Sequence, residues 1–175
     1  MAAFDEDAIF THPLDFELAG GPTLFWRAEV LEAAISWLGD NGYDVVSLVA
    51  AEWGEPAQMH RDLAHALSFP AYYGNNLDAL NDCMFGVACG EYGIGAEAAG
   101  LALVLRNFDG FVRDDRATAH LALEIFAGQA AFAMRFGRRI LILLQSDDPN
   151  LVLDPVGAIT PRWNGREWLD TSREL

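Results

Sequence analysis

Pro70-Ala71-Tyr72-Tyr73-Gly74-Asn75-Asn76-Leu77-Asp78-Ala79-Leu80-Asn81-Asp82-Cys83 lies near the middle of a 175-residue chain and leads from a loop into a helix. Pro70 keeps Phe69 out of the helical region, and Gly74 is free to take a positive φ. Asn76 is a natural N-cap for a helix from about Leu77 to Phe85. At about 100° per residue, Leu77, Leu80 and Met84 fall together with Cys83 beside them, and Asp78 and Asp82 share the opposite, wet side. These carboxylates are helical neighbours, and like charges at that spacing destabilise a helix by about 0.2–0.5 kcal/mol. The helix dipole stabilises Asp78 in the first turn, but Asp82 lies beyond its reach and no arginine shares the helix. Either this is a solvated acidic face, or a cation from another molecule completes it. Tyr72 and Tyr73 pose the same choice: aromatic anchors beside charge in an interface, or rings that lid the core.

Toward the N-terminus, Pro56 opens a helix with Met59, Leu63, Ala66 and Leu67 inward, ending near Ser68. Tyr43 to Val49 reads as a strand. Val30, Leu31, Ala34, Ile35 and Leu38 recur at helical spacing from Ala28 to Leu38, with Gly39 and Gly42 as stop signals. Leu14, Phe16 and Leu18 alternate with Asp15 and Glu17 as a strand does, and after Gly20-Gly21 the run Thr23 to Trp26 completes a predicted hairpin. Residues 1–12 offer few apolar anchors.

Toward the C-terminus, Gly86 to Gly100 reads as a Gly- and Ala-rich loop, and Leu101 to Leu105 as a strand buried on both faces. Asp114 or Asp115 caps a long helix reaching Phe136, with Leu121, Ile125, Phe132 and Phe136 along one stripe and Gly137 as C-terminal cap. Ile140 to Leu144 is the last buried strand. Strands separated by helices favour right-handed crossovers, so residues 43–145 should form an α/β layer structure with a parallel sheet. In the tail, Ser146 to Leu175, the run Trp163-Asn164-Gly165-Arg166-Glu167-Trp168 carries the Asn-Gly signal of a two-residue hairpin.

The formal net charge of -15 comes from 26 acidic against 11 basic residues, all of the latter arginine. Such a field repels nucleic acid and anionic lipid and speeds encounter with a basic protein, although acidity also simply keeps a protein dissolved. No apolar run is long enough for a membrane span, and the start, Met1-Ala2-Ala3-Phe4-Asp5-Glu6-Asp7, is acidic where a secretory signal is basic. Cys83 and Cys89 are too few for a disulfide framework. A cytoplasmic protein with reduced thiols is expected.

The stretch from Pro70 to Cys83 resembles the signature of the barstar family, Pro-x-Tyr-Tyr-Gly-x-Asn-Leu-Asp-Ala-Leu-x-Asp. The order strand, helix, signature helix, strand, long helix, strand over about residues 43–145 is also the family's. The resemblance implies a small parallel sheet packed with helices. Residues 1–42 (hairpin plus helix) and 146–175 (C-terminal hairpin) would be additions within a single compact domain. It also implies a 1:1 complex that blocks, without catalysis, a basic guanine-preferring ribonuclease of the barnase type.

Carried over by residue, Tyr72 contacts the enzyme's rim, and Gly74 and Asn76 shape the loop and cap the helix. Asp78 pairs with basic groups at the cleft edge, and Asp82 takes the place of the substrate phosphate among the enzyme's catalytic histidine and arginines. Tyr73 and Asn81 complete the predicted partner-binding set. A carboxylate suits this role because it offers an arginine fork two acceptor oxygens, as phosphate does. Asn81 and Val87 depart from the pattern, standing where aromatics are expected, and only Gly128 or Gln129 occupies the place of a further acidic residue. The insertion Gly86 to Gly100, with Glu91, Tyr92 and Glu97, either replaces those contacts or is a mobile surface loop.

Two rivals remain. Asp78 and Asp82 could be an acid and base pair, but such pairs usually sit in a cleft. His60 and His65 point apart, His12 and His120 have no obvious partners, and no phosphate-cradling Gly-rich motif follows a strand, so no catalytic residue, cofactor or metal is expected. The second rival is an immunity or interaction module of the same fold directed at a different basic nuclease toxin.

Overall fold

The computed structural model describes Leu18 and residues 20–167. The longest apolar runs become the inner strands: β2 (Tyr43–Val49), β3 (Gly100–Arg106) and β4 (Ile140–Gln145), with Leu103 in parallel register between Val46 and Ile142. Two short strands, β1 (Thr23–Phe25) and β5 (Arg162–Trp163), join beyond β4. The sheet order is β2-β3-β4-β1-β5, and every pairing within it is parallel. The helices are α1 (Ala28–Asp40), α2 (Pro56–Ala66), α3 (Leu77–Cys89), α4 (Phe108–Asp114) and α5 (Arg116–Ala133).

Successive side chains on a strand point to opposite faces. Leu101, Leu103 and Leu105 therefore enter the larger buried cluster with Leu63 of α2, Met84 of α3 and Phe126 of α5, and Ala102 and Val104 enter a second cluster with Leu31 and Leu38 of α1. A sheet covered on both faces accounts for the continuous apolar runs of β3 and β4. Each wholly buried leucine contributes about 1.5–3 kcal/mol. The α/β architecture with a small parallel sheet is as the sequence predicts.

Several local readings change. Thr23–Phe25 is a strand, but it pairs in parallel with β4 and β5 and not in a hairpin; residues 14–17 of the expected partner strand lie outside the described residues. At the other end a Glu167 N–H to Asn164 carbonyl hydrogen bond of 3.1 Å closes a turn. The expected two-residue hairpin turn needs φ > 0 at both central positions, and neither Asn164 nor Gly165 has it. Instead the Asn164 backbone and side-chain N–H groups both donate to the Leu24 carbonyl, continuing the pairing with β1.

Helix α3 does not stop at Phe85. It runs on to Cys89, and Gly90 at φ 74 supplies the left-handed cap. Gly86 is required by packing, because a Cβ there would lie 2.3 Å from the Tyr92 hydroxyl. The seven-residue helix α4 was not read from the sequence, being too short to show a period. Asp115, not Asp114, caps α5, its Oδ1 accepting from the Thr118 N–H at 3.0 Å.

The stripe Leu121, Ile125, Phe132, Phe136 is not the buried face of α5. That face is Ala119, Ala122, Leu123, Phe126, Ala127 and Ala133. Leu121 and Phe136 are exposed, and Ile125 and Phe132 are half-buried.

Candidate partner-binding face

Helix α3 begins as its sequence dictates. The Asn76 Oδ1 accepts the Ala79 N–H at 2.9 Å, satisfying a backbone donor the helix itself cannot, and its Nδ2 donates to the Gly74 carbonyl at 3.3 Å. The left-handed residue in the approach is Asn75, at φ 51, not Gly74. Gly74 matters for space, since a Cβ there would lie 3.2 Å from the Asn76 Nδ2.

Leu80, Cys83 and Met84 anchor the inner side of α3, leaving Asp78, Asn81 and Asp82 exposed along its outer side. Neither aspartate makes an ion pair or side-chain hydrogen bond with any described residue. Asn81 does: its Oδ1 accepts from the Gln129 Nε2 at 2.9 Å, tying α3 to α5. Val87 is wholly buried. Farther along the ridge the rings of Phe85 and Phe132 lie 5.0 Å apart, and those of Phe132 and Phe136 5.1 Å.

The two tyrosines separate. Tyr72 is 83% exposed, whereas Tyr73 turns inward to pack edge-on against Phe69 and hydrogen-bond His60 on α2. Burial pushes the Tyr73 hydroxyl up from its ordinary value, with the nearby Cys83 thiol adding to it, and pushes the His60 imidazole down. The Cys83 thiol is likewise raised by burial, with the Asp82 charge contributing, so it stays protonated and is a poor nucleophile. Of the predicted partner-binding residues, Tyr72, Gly74, Asn76, Asp78, Asn81 and Asp82 are exposed, and Tyr73 fastens the loop that carries Tyr72 and Gly74 and leads into α3.

The segment after α3 is stitched down. The Tyr92 hydroxyl donates to the Cys83 carbonyl at 3.1 Å, and Asp44 at the start of β2 accepts the Gly95 N–H at 2.6 Å. Tyr92 thus serves α3 from within, leaving Glu91 and Glu97 exposed. Among the described residues, no group of three or more His, Cys, Asp or Glu side chains could hold a metal ion, and no helix is long and apolar enough to cross a membrane.

Sequence reasoning missed Gln129 as the partner of Asn81, His60 as the partner of Tyr73, and Glu167 altogether. Glu167 is wholly buried, and its carboxylate accepts the Trp26 N–H at 2.9 Å and the Arg27 N–H at 2.8 Å at the start of α1. The Arg27 guanidinium and the Asn164 amide donate to it as well. Each of these contacts is long-range or outside a regular pattern, so no periodicity announces it.

Comparison with known proteins meets this geometry at the same place. Residues 43–145, from the start of β2 to the end of β4, match the family described as Barstar (barnase inhibitor). YrdF of Bacillus subtilis (strain 168), whose name makes it a candidate ribonuclease inhibitor, is 45% identical over 51 residues. That alignment takes in 29% of this chain and 46% of YrdF, so the chain spans about half of that relative's length.

Proposed function

This chain belongs to the barstar family, and on that premise we propose that it inhibits a basic, guanine-preferring ribonuclease of the barnase type in a 1:1 complex. Asp82 takes the place of the RNA phosphate in the enzyme's cleft, and Asp78 meets basic groups at its edge. Tyr72 covers the rim, and Tyr73, Gly74, Asn76 and Asn81 hold the face in shape. Residues 43–145 are the inhibitory unit, to which 1–42 and 146–175 are additions within one domain. The free thiols Cys83 and Cys89 suit a reducing compartment, so the protein acts in the cytoplasm.

One observation carries this reading: two exposed carboxylates one helical turn apart, with no cation among the described residues to answer them. Their repulsion costs the helix a little, and arginines of a bound enzyme would reverse its sign. The -15 charge of the chain favours fast encounter with a basic protein. An acid and base pair is less well supported, because both groups stand on an exposed helix face and not in a cleft.

The second reading, an immunity module for a different basic nuclease, is favoured by the Asn81–Gln129 amide pair, which stands where the resemblance leads one to expect an aromatic and an acid. Salt-dependent binding across a panel of basic nucleases separates the two readings.

The test is RNA cleavage by a barnase-type ribonuclease with increasing wild-type protein or Asp82→Ala. Losing one member of a desolvated charge pair costs about 3 kcal/mol or more, so the variant should inhibit at least roughly a hundredfold less well while keeping its fold. Equal inhibition by the two proteins would remove Asp82 from the cleft.

A further inference from the structure

One turn beyond Asp82, on the same outward side of α3, stands Phe85. There the stripe changes from acidic to aromatic. The Phe85 ring meets Phe132 of α5 at 5.0 Å, and Phe132 meets Phe136 at 5.1 Å. Phe85 is 44% exposed and Phe136 61%. Single exposed apolar side chains need no explanation, but rings in contact with one another make a patch, and a patch marks an interaction surface.

Beyond the rings the charge reverses. Arg135 and Arg138 are exposed, and neither has an ion-pair partner among the described residues. The Arg138 guanidinium lies across the end of α3, where a Cβ on Gly90 would have to be. The carbonyl end of a helix favours a cation there, but no carboxylate of the described residues answers it.

One ridge thus carries unanswered carboxylates at one end, rings in the middle and unanswered arginines at the other end. A uniformly basic surface would answer Asp82 and meet Arg138 with like charge. A second copy of the chain, turned end for end, answers both, as in the isologous interface of a two-fold dimer. The spacing suits this: at about 1.5 Å per residue, Asp82 and Gly90 stand about 12 Å apart along the axis, with Gly86 midway. A two-fold axis crossing there sets the rings of two copies together and Asp82 of each beside Arg138 of the other.

We propose that this ridge is the contact surface of a two-fold dimer, with the Phe85, Phe132 and Phe136 rings at its centre and Asp82 of each copy paired with Arg138 of the other. Resting on the inhibitor reading above, the dimer is a stored form: it covers Asp82 and must come apart before that carboxylate enters an enzyme's cleft. The -15 charge of each copy opposes the pairing, so the dimer is weak and gives way to a basic enzyme.

The experiment is sedimentation equilibrium of the full chain. Wild type should dimerise with a dissociation constant of about 10–100 μM, as a small interface does. Phe136→Ser should weaken the dimer at least about tenfold, whereas Val152→Ala, which removes an exposed apolar side chain elsewhere, should change it less than about twofold. Arg138→Glu and Asp82→Arg, each alone, should also weaken it at least about tenfold, since each sets like charges opposite one another. Mixed in equal amounts, these two variants should dimerise within about threefold of wild type, because every facing pair is then of opposite sign. Wild type still monomeric at about 200 μM overturns the dimer, as does indifference to Phe136→Ser or a mixture no better than its components.

None of these results depends on an enzyme. Adding a barnase-type ribonuclease to the dimer should give 1:1 complexes, and a 2:2 assembly would overturn the stored form, since Asp82 would then be open within the dimer. If Asp82→Ala inhibits as well as wild type while the charge-reversed mixture pairs as expected, the inhibitor reading falls and the dimer stands.

Discussion

The carboxylates at the two ends of this account are handled in opposite ways. Glu167 is wholly buried and surrounded by donors: two backbone N–H groups at the start of α1, the Arg27 guanidinium and the Asn164 amide. Asp78 and Asp82 are exposed, with no side-chain partner among the described residues. A carboxylate that serves the fold has its hydrogen bonds completed within the chain, since burial without them would be prohibitive. On the reading proposed above, Asp78 and Asp82 stay in water for another molecule, slightly destabilising their own helix until it arrives. The contrast separates an acid bound into the fold from two that stay in water, in a chain with 26 acidic residues.

The largest effect expected of a change on the structural side is that of Glu167→Ala. It strands the Trp26 and Arg27 N–H groups, leaves the Asn164 Nδ2 with only its bond to the Leu24 carbonyl, and should lower unfolding stability by about 3–5 kcal/mol in urea titrations. The folded fraction should still inhibit as wild type does. A variant that kept its stability would mean that the clamp does not hold the tail to α1, and the contrast would lose one side.

A smaller, pH-dependent effect attaches to the loop anchor. Burial holds the folded His60 imidazole below its ordinary value near 6.5, whereas in the unfolded chain it titrates near that value. As pH falls below about 6.5 the unfolded state takes up a proton that the folded state refuses, so stability falls until the folded imidazole protonates too. Above that pH both states are neutral and His60 contributes no slope. Urea midpoints from pH 8 to pH 5 should therefore decline more for wild type than for His60→Gln. Parallel declines would assign the slope to other groups.

Much of this was legible in the sequence. The strands Tyr43–Val49, Gly100–Arg106 and Ile140–Gln145 were readable because each is an alternating or continuous apolar run. The outward placement of Asp78 and Asp82 follows from the wheel of α3, and the Asn76 cap from residue chemistry. What failed to show depends on partners far along the chain. Thr23–Phe25 has a strand's composition, but nothing local says that it will pair with residues 143–145. The Leu121–Phe136 stripe has the period of a core face, and a core face and a docking face have the same period. Only the small residues Ala119, Ala122 and Ala127 reveal where α5 lies against the rest of the protein. Tyr72 and Tyr73 are adjacent and alike, and it is His60, on another helix, that draws Tyr73 inward.

The claim at the centre is that the outer face of α3 is held for a partner at a small cost to the fold. The affinity of Asp78→Asn/Asp82→Asn for a barnase-type ribonuclease, with a urea titration of the same sample, tests it most directly. Affinity should fall by roughly a thousandfold or more while stability stays level or rises by a few tenths of a kcal/mol, as the repulsion is relieved. Affinity within about threefold of wild type would contradict the claim, as would a stability loss of several kcal/mol.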